Sequence, residues 1–388
     1  MDRRMFLGVL GVGVLGTLLA AGCAPPAPAP TAGPTPGPNP TPAAAKRPLF
    51  VGTYTDGDGA GKGLGVGTWD AGSGQLAVSN VVPVANPSFL AIAPSGEVLY
   101  AVDEQKDGGV NALELTGAAP RTINRQSSRG AGPTHLCVHP SGRYVLAANY
   151  DSGSVVVLPV RADGGLDPAT DLAQHTGTGP DPDRQDGPHA HQILPDPTGA
   201  YLLAVDLGTD SIYAYQLDLA TGKLALRHQV RLRPGSGPRH LAFHPNGRFA
   251  YVANELGNTV ITCGYADGLL TPGREQPATP APPAGTRNYP AEILVSPDGR
   301  FLYVSNRGAD NVAVFSVAAD GELTLVGAPS CGGSYPRHIG LDPTGAYLFA
   351  ANQKSNTVTS FVVDRATGGL SPVAAPLVTP MPVCTLAL

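Results

Sequence analysis

Six copies of a Pro-x-Gly turn recur along this 388-residue chain. Their prolines are Pro94, Pro140, Pro197, Pro245, Pro297 and Pro343, which are separated by 46, 57, 48, 52 and 46 residues. A period of this length is the mark of a repeat architecture, in which each copy is one supersecondary unit that must pack against its neighbours. The repeat therefore has to be interpreted before any single motif.

Each turn lies between two short apolar runs. Around Pro245 they are "HLAFH" and "FAYVA", and the other copies follow the same pattern. Short apolar runs bounded by Gly, Pro, Asn and Asp are typical of β-strands. A third run such as "NVAVFSV" and a shorter fourth such as "ELTLVGA" follow in several copies. Four strands per repeat at this period predict the blade of a β-propeller.

The two ends of the repeat region complete each other. "LFVGTYT" (49–55) matches the second strand of a repeat with no first strand before it, and "PVCTLAL" (382–388) matches a first strand with nothing after it. Pairing them in one blade would remove the open edges of a linear β array. We therefore predict an all-β fold: one seven-bladed propeller of four-stranded blades over residues 47–388, closed by its N- and C-terminal strands.

The N-terminus is predicted to be an export signal. Arg3 and Arg4 precede an apolar stretch that ends in small residues at Cys23, which is a secretory pattern and not a membrane span. "RRMFLG" resembles a twin-arginine signal, and "LAAGC" resembles a lipobox with Ala20 at position −3. We expect residues 1–23 to be a lipoprotein signal peptide with Cys23 acylated. The alternative is cleavage near Ala21 without a lipid.

The Pro-rich segment 24–46 follows this signal. Its composition favours extended polyproline II and cannot bury a core, so it is predicted to be a disordered linker. Together the two segments predict an exported domain held on the outer face of the cell membrane by a lipid anchor.

The net charge restricts the binding partners. It is −5 without a Lys/Arg-rich run, which argues against nucleic acid and favours a small molecule or a protein.

The cysteines other than Cys23 show no metal or redox spacing. They are Cys137, Cys263, Cys331 and Cys384, with no close CxxC pair. Buried free thiols are the favoured state.

Charged residues recur at two equivalent positions of the repeats. Sixteen residues separate the start of the first strand from the residue after the second, and the two strands with their turn return the chain to the same end of the central channel. In one repeat the pair is Arg239 and Glu255. The combined set of candidate site residues is His191, Arg239, Glu255, Arg307 and Arg337, with Glu104, Tyr150, His189 and Glu292 near them.

This set predicts a cationic site at the mouth of the channel. Arginine forks suit a carboxylate, a phosphate or a developing oxyanion, and a His or Glu among them could move a proton. The alternative is a solvated rim of strand-end charges. "HAH" (189–191) lacks a carboxylate or cysteine at ligand spacing, so neither a metal nor another cofactor is expected.

The chain resembles the seven-bladed lactonase family, which includes propeller-type 6-phosphogluconolactonases and carboxymuconate cyclases. The resemblance is carried by "FVGTYT", "PHAH", "GPRHLAFHPNGRFAYVANE", "AEILVSPDGRFLYVSNRG" and "PRHIGLDPTGAYLFAANQ". It implies an active centre of His191, Arg239, Glu255 and Arg307.

The implied chemistry is hydrolysis of a sugar-acid lactone, or a related reaction of a carboxylated lactone. Glu255 or His191 would activate water, and Arg239 with Arg307 would stabilise the oxyanion. The remaining candidates, His189, Glu292, Arg337, Tyr150 and Glu104, would bind the substrate, an anionic small-molecule lactone. The alternative function is a non-catalytic, surface-anchored propeller that binds a protein or polymer.

Overall fold

The computed structural model describes residues 46–57, 59–117, 119–280, 284–373 and 375–388. The predicted signal peptide 1–23, the acylation site Cys23 and residues 24–45 of the predicted linker lie outside this part of the chain. The first strand of the described part begins at Lys46, one residue before the predicted start of the domain. Among the described residues, no helix is long and apolar enough to cross a membrane.

The described residues form seven antiparallel sheets, which we call blades 1 to 7. Blade 7 joins β1 (Lys46–Thr53), β2 (Leu64–Asp70) and β3 (Leu76–Val82) to the last strand of the chain. Blade 1 has β4 (Leu90–Ile92), β5 (Val98–Asp103), β6 (Gly109–Glu114) and β7 (Arg121–Ser127). Blade 2 has β8 (Pro133–Val138), β9 (Tyr144–Asn149), β10 (Ser154–Pro159) and β11 (Asp171–Gln174). Blade 3 has β12 (Ala190–Pro195), β13 (Leu202–Asp206), β14 (Ser211–Asp218) and β15 (Lys223–Arg231).

The other three blades follow the same order. Blade 4 has β16 (Pro238–Phe243), β17 (Phe249–Asn254), β18 (Thr259–Ala266) and β19 (Leu269–Pro277). Blade 5 has β20 (Tyr289–Val295), β21 (Phe301–Arg307), β22 (Asn311–Val317) and β23 (Leu323–Gly327). Blade 6 has β24 (Pro336–Leu341), β25 (Tyr347–Asn352), a 3₁₀ turn (Gln353–Ser355) and β26 (Thr357–Val363), and its outer position is divided between β27 (Leu370–Pro372) and β28 (Leu377–Val378). The final strand, β29 (Pro382–Ala387), is the inner strand of blade 7.

The first strand of every blade faces the centre of the ring. Each of these seven strands contacts the first strand of the next blade, from β4 round to β29 and back to β4. The predicted Pro-x-Gly turns join first to second strands: in blade 2, Gly142 has φ 69° and its N–H donates to the carbonyl of His139 over 2.8 Å. This positive φ explains why glycine recurs at the third turn position.

Apolar side chains between adjacent blades form the core. Seven buried clusters lie one at each blade-to-blade interface. Tyr100, Tyr251 and Tyr303 are fully buried there, and each donates its hydroxyl to a backbone carbonyl of the next blade. The four cysteines of the propeller are buried free thiols, and burial raises the pKa of Cys137 and Cys263 to about 12.

The ring closes as predicted. In blade 7, β1 pairs with β29, with Leu49 opposite Ala387 and Val51 opposite Thr385. The indole of Trp69 also donates to the carbonyl of Leu388 over 3.2 Å. The seven-bladed, four-stranded fold with this closure is therefore confirmed.

Deleting residues 382–388 should destabilise the whole ring. The deletion removes the buried Val383 and Cys384, exposes the edge of β1, and uncovers the side of blade 6 that packs against β29. Burial of such side chains contributes about 2 kcal/mol each, and blades stabilise their neighbours, so we expect a large fall in Tm and a less cooperative transition. Thermal unfolding measures this. A seven-residue deletion in the predicted linker is the control, and unchanged melting of the C-terminal deletion would contradict closure by β29.

Candidate active site

A β-bulge at the start of the inner strands directs side chains into the channel. Pairing shifts between Pro238 and His240 in blade 4, and between Pro336 and His338 in blade 6. A bulge leaves one residue outside the ladder and re-aims its side chain. As a result Arg239 and the adjacent His240 both reach the interior of the channel, although strict alternation would place them on opposite faces.

The second strand returns the chain to the same place. The Glu255 N–H donates to the carbonyl of Gly237 over 2.7 Å, so Glu255 follows β17 directly beside the start of β16. Its carboxylate lies 3.3 Å from Nε of Arg239. The structure therefore brings the predicted sixteen-residue pair into contact.

Most of the predicted site residues line one cavity of about 210 Å³, which we call the mouth cavity. Its predicted members are Glu104, Tyr150, His191, Glu255, Arg307 and Arg337, and Thr134, Asp151 and Arg184 complete the lining. Arg239 and Glu292 line a smaller space beneath it, the lower chamber, together with His240 and His338. Arg337 and Glu104 border both spaces.

Glu255 is the centre of an ion cluster. One carboxylate oxygen accepts from Nη2 of Arg307 at 2.5 Å, and the other accepts from Nη2 of Arg184 at 2.8 Å. Burial alone would raise the pKa of Glu255, but Arg307, Arg239 and Arg184 outweigh it and lower that pKa to about 2. Glu255 is therefore a permanent anion that holds three guanidinium groups together, and it is a weak base.

Arg239 carries a buried charge that is only partly compensated. It is 3% exposed, and neither Nε nor Nη1 has a hydrogen-bond partner among the described residues. Burial, followed by the nearby Arg307 and Arg337, lowers the pKa of Arg239 to about 9, which leaves it cationic at neutral pH. Buried donors without acceptors are costly unless a ligand or water satisfies them.

Arg337 is the cation best placed to receive an anion. It is half-buried and lies over the Tyr54 ring at 5.3 Å, and it makes no ion pair with any described residue. Glu104 beside it instead accepts hydrogen bonds from the Tyr54 hydroxyl at 3.0 and 3.1 Å. Burial raises the pKa of Glu104.

His191 supplies a neutral imidazole at the floor of the mouth cavity. It is 5% exposed, and its Nδ1 lies 3.2 Å from Nε2 of His240. Burial, together with the positive charges of Arg239, Arg337 and Arg307, holds the pKa of His191 well below its usual range. A neutral ring that touches the cavity can accept a proton at neutral pH.

His189 lies outside the mouth cavity. Its ring stacks on Tyr150 with 4.6 Å between centroids, and its Nδ1 lies 3.0 Å from the Tyr150 carbonyl oxygen. It was predicted to bind substrate, but in this position it supports the Tyr150 ring from behind. Among the described residues, no group of three or more His, Cys, Asp or Glu side chains is arranged to hold a metal ion, and this includes the surroundings of His189.

Sequence reasoning missed Arg184 and His240. Arg184 comes from the long connection before β12, and Nη2 also donates to the Tyr150 hydroxyl over 3.1 Å. The 57-residue spacing, the longest of the five, marked this insertion. His240 belongs to a column of residues directly after the inner-strand starts, where His135 and His338 stand in other blades.

Comparisons with known proteins agree with this geometry. A family model described as "Lactonase, 7-bladed beta-propeller" matches residues 48–387. The 6-phosphogluconolactonase of Bacillus subtilis (strain 168) is 36% identical over 343 residues, covering 86% of this chain and 96% of that protein. A solved structure from Bacteroides fragilis superposes with a TM-score of 0.82 at 36% identity, over 91% of this chain and 100% of that one.

A second solved structure adds a relative named for a different substrate. The periplasmic gluconolactonase of Pseudomonas aeruginosa superposes with a TM-score of 0.82 at 31% identity, covering 89% of this chain and 99% of that one. The family match spans nearly the whole propeller, including every residue of the mouth cavity. The chain belongs to the seven-bladed beta-propeller lactonase family.

Proposed function

We propose that this chain is a hydrolase that opens a lactone carrying an anionic group, the class that includes 6-phosphogluconolactone and carboxylated lactones. The observation that carries the proposal is the mouth cavity itself, where a neutral His191 stands among three arginines and Arg337 has no ion-pair partner among the described residues. The named relatives support a lactonase-like hydrolase.

The size of the cavity favours a small substrate. Its volume of about 210 Å³ lies below the ~300–1,000 Å³ usual for drug-sized ligands. A single sugar-acid ring is of this order, whereas a polymer or protein segment would need a longer groove. This observation disfavours a non-catalytic binding propeller, which also has no need for a buried charge cluster.

The hydrolytic step assigns a proton path to His191. As water attacks the lactone carbonyl carbon, its proton moves to Nε2 of His191 and the carbonyl π electrons move to oxygen. The neighbouring guanidinium groups of Arg239 and Arg307 stabilise that oxyanion. Collapse breaks the ring C–O bond, and the leaving oxygen takes the proton back from His191. The product is an open-chain hydroxy acid, with the enzyme restored.

Glu255 has a different role in this proposal. Sequence reasoning left Glu255 and His191 as alternative bases. Three guanidinium groups already contact the Glu255 carboxylate, whereas Nε2 of His191 has no hydrogen-bond partner among the described residues, and this favours His191. Glu255 instead positions Arg184, Arg239 and Arg307, and it offsets part of their mutual repulsion.

The test is hydrolysis of three lactones by the purified propeller: δ-gluconolactone, its 6-phosphate and carboxymuconolactone. We expect opening of at least one anionic lactone well above its spontaneous rate at the same pH. If the folded protein accelerates the opening of none of the three lactones, the proposal is contradicted, and a non-catalytic propeller that binds a protein or polymer becomes the favoured function.

Replacing Arg337 by glutamine should separate anionic from neutral substrates. A half-buried guanidinium that meets a phosphate or carboxylate forms a charge-assisted pair worth about 1.5–3 kcal/mol, so its loss should raise KM for the anionic lactone roughly tenfold or more. KM for δ-gluconolactone should change little. Steady-state kinetics with both substrates provide the internal control. An equal rise in KM for both lactones would show that Arg337 does not bind the anionic group of the substrate.

We also propose that the protein is exported and held at the membrane by acylated Cys23. The support is the N-terminal sequence, with Arg3, Arg4 and "LAAGC". Cys23→Ser should move the protein from the membrane fraction to the soluble exported fraction, as measured by fractionation and immunoblotting. Persistence in the membrane fraction would point to another attachment.

A further inference from the structure

Three buried side chains form a continuous line from the lower chamber to the mouth cavity. Oε1 of Glu292 lies 2.9 Å from Nδ1 of His240, and Nε2 of His240 lies 3.2 Å from Nδ1 of His191. The three residues are only 4%, 1% and 5% exposed. They come from blades 5, 4 and 3, so three neighbouring inner strands are needed to build the line.

The hydrogen-bond partners define the direction of this line. Oε1 of Glu292 already accepts the N–H of Ile293 over 3.2 Å, so it is an acceptor toward His240 as well. His240 therefore carries its proton on Nδ1. Burial, together with Arg239 and Arg337, holds the pKa of His240 well below its usual range, so this ring is neutral and its Nε2 is an acceptor.

The same reasoning continues to His191. Because Nε2 of His240 accepts, Nδ1 of His191 must carry the proton. In a neutral imidazole this leaves Nε2 without a proton. That atom has no hydrogen-bond partner among the described residues, and the ring lines the mouth cavity.

We propose that Glu292 and His240 are positioning residues that hold His191 in the tautomer able to act as a base, a Glu–His–His relay buried in the channel. The inference rests on the proposed function in its catalytic consequence, although the tautomer itself can be observed without turnover. It also gives Glu292 a role other than the substrate binding predicted for it, because Glu292 borders the lower chamber and not the mouth cavity.

The relay would act while His191 holds a proton. When Nε2 of His191 takes the proton of the attacking water, the ring becomes an imidazolium. Its Nδ1 proton can then move to Nε2 of His240, and the positive charge comes to lie beside Glu292. The proton on Nε2 of His191 stays in place for the leaving oxygen. When that oxygen takes it, the other proton returns from Nε2 of His240 to Nδ1 of His191, so both rings end neutral in their starting tautomers. A carboxylate that meets such a cation stabilises it, as in other carboxylate–histidine pairs.

Charged and titratable groups of both kinds surround His191, and the positive ones disfavour a protonated imidazole. The positive groups are Arg239, Arg307 and Arg337, and burial and neighbouring charges keep His135 and His338 neutral, with the pKa of His338 lowered to about 4. The carboxyl groups are Glu292, whose Oε2 lies 3.6 Å from Nε2 of His338, and Glu255. Burial raises the pKa of Glu292, while His338 and Arg239 favour its charged form. Glu292 is therefore the negative charge that reaches His191 through hydrogen bonds.

The direct test is ¹⁵N NMR of the histidine side chains in the folded propeller, with His191 assigned from the spectrum of His191→Gln. We expect His191 to show a protonated Nδ1 and a bare Nε2, which is the minor tautomer of free histidine. In His240→Phe, which keeps a ring but removes both nitrogens, this preference should be lost. A His191 with the proton on Nε2 in the wild type would overturn the relay, whatever the activity of the protein.

Kinetics supply the second readout. His240→Phe should lower kcat by about 10²-fold, the lower end of what a positioned base contributes. Glu292→Gln keeps the shape and should lower kcat roughly tenfold, since only the charge that stabilises the imidazolium is lost. Because that charge favours the protonated base, its removal should also move the acid limb of kcat/KM to lower pH. KM should stay close to the wild-type value in both variants.

His135→Phe is the matched control. His135 is also a buried channel histidine, with its ring 5.3 Å from that of His240, but it makes no hydrogen bond with His191 or Glu292. Its kcat should stay within about twofold of wild type, since no relay bond is lost. Equal losses in His135→Phe and His240→Phe, or a fall in Glu292→Gln without any shift of the acid limb, would show general packing damage and overturn the relay. Melting temperatures identify variants that fail to fold.

Discussion

Replacing His191 by glutamine is expected to lower kcat for lactone opening by about 10²- to 10⁴-fold, the usual contribution of a positioned general base. Glutamine has similar size and polarity but cannot take a proton near neutral pH. The burial of His191 and the surrounding arginines keep its imidazole neutral, so the wild-type rate should hold as the pH falls through the ordinary histidine range near 6.5. KM should change little, because the substrate anion is held by other groups.

The neighbouring histidine provides the control for this prediction. His189 is two residues away in the same "HAH" motif, but it stacks behind Tyr150 and does not line the mouth cavity. His189→Gln should therefore retain most of the wild-type kcat. The informative measurement is kcat and KM for both variants on the lactone that the wild type opens fastest. Wild-type turnover in a folded His191→Gln variant would rule out His191 as the base.

The fold could be predicted from the sequence because its main signals are local and repeated. The Pro-x-Gly turn requires positive φ at each third position, and the flanking apolar runs are the buried strands. The unmatched runs at 49–55 and 382–388 also predicted closure, because an inner strand without partners has no other place in the ring. These inferences needed only the period of the repeat and the chemistry of turns.

The site was predicted less completely because two of the features that build it, the β-bulges and a loop insertion, do not follow the repeat. Counting sixteen residues assumes regular strands, and it brought together Arg239 and Glu255 correctly. However, the bulges at Pro238/His240 and Pro336/His338 add a second side chain to the channel, and strand alternation gives no sign of it. Arg184 reaches Glu255 from a loop insertion, 71 residues away in sequence, so no spacing rule could identify that pair.

The arrangement also explains why a propeller suits this chemistry. Each inner strand contributes one or two side chains to a common space, and the blades hold them rigidly through seven apolar interfaces. The rigid blades can then hold buried charges of both signs close together without every positive side chain forming an ion pair with a negative one. Arg337 and the unsatisfied donors of Arg239 are examples of groups that the scaffold keeps available for a ligand.

Replacing Glu255 by glutamine is expected to damage both stability and turnover, which distinguishes a structural anion from a base. The change leaves Arg184, Arg239 and Arg307 together without their shared carboxylate. Breaking a buried ion pair in this way costs roughly 3–5 kcal/mol, and displacement of the guanidinium groups by about 1 Å would lower kcat/KM roughly 10²-fold. A surface pair offers the control, since Glu322→Gln removes the exposed partner of Arg274 and should cost at most about 1 kcal/mol.

The pH dependence of unfolding tests the same assignment independently of activity. The pKa of Glu255 is lowered from 4.5 to about 2 in the folded protein, so its stabilisation is fully present above pH 4.5 and is lost as the pH falls toward 2. That difference corresponds to roughly 3 kcal/mol. Denaturant unfolding of wild type and Glu255→Gln from pH 7 to pH 3 should therefore show a gap in unfolding free energy that narrows below pH 4.5. If Glu255 were a free catalytic base, the variant would lose turnover while the two unfolding curves stayed together at every pH.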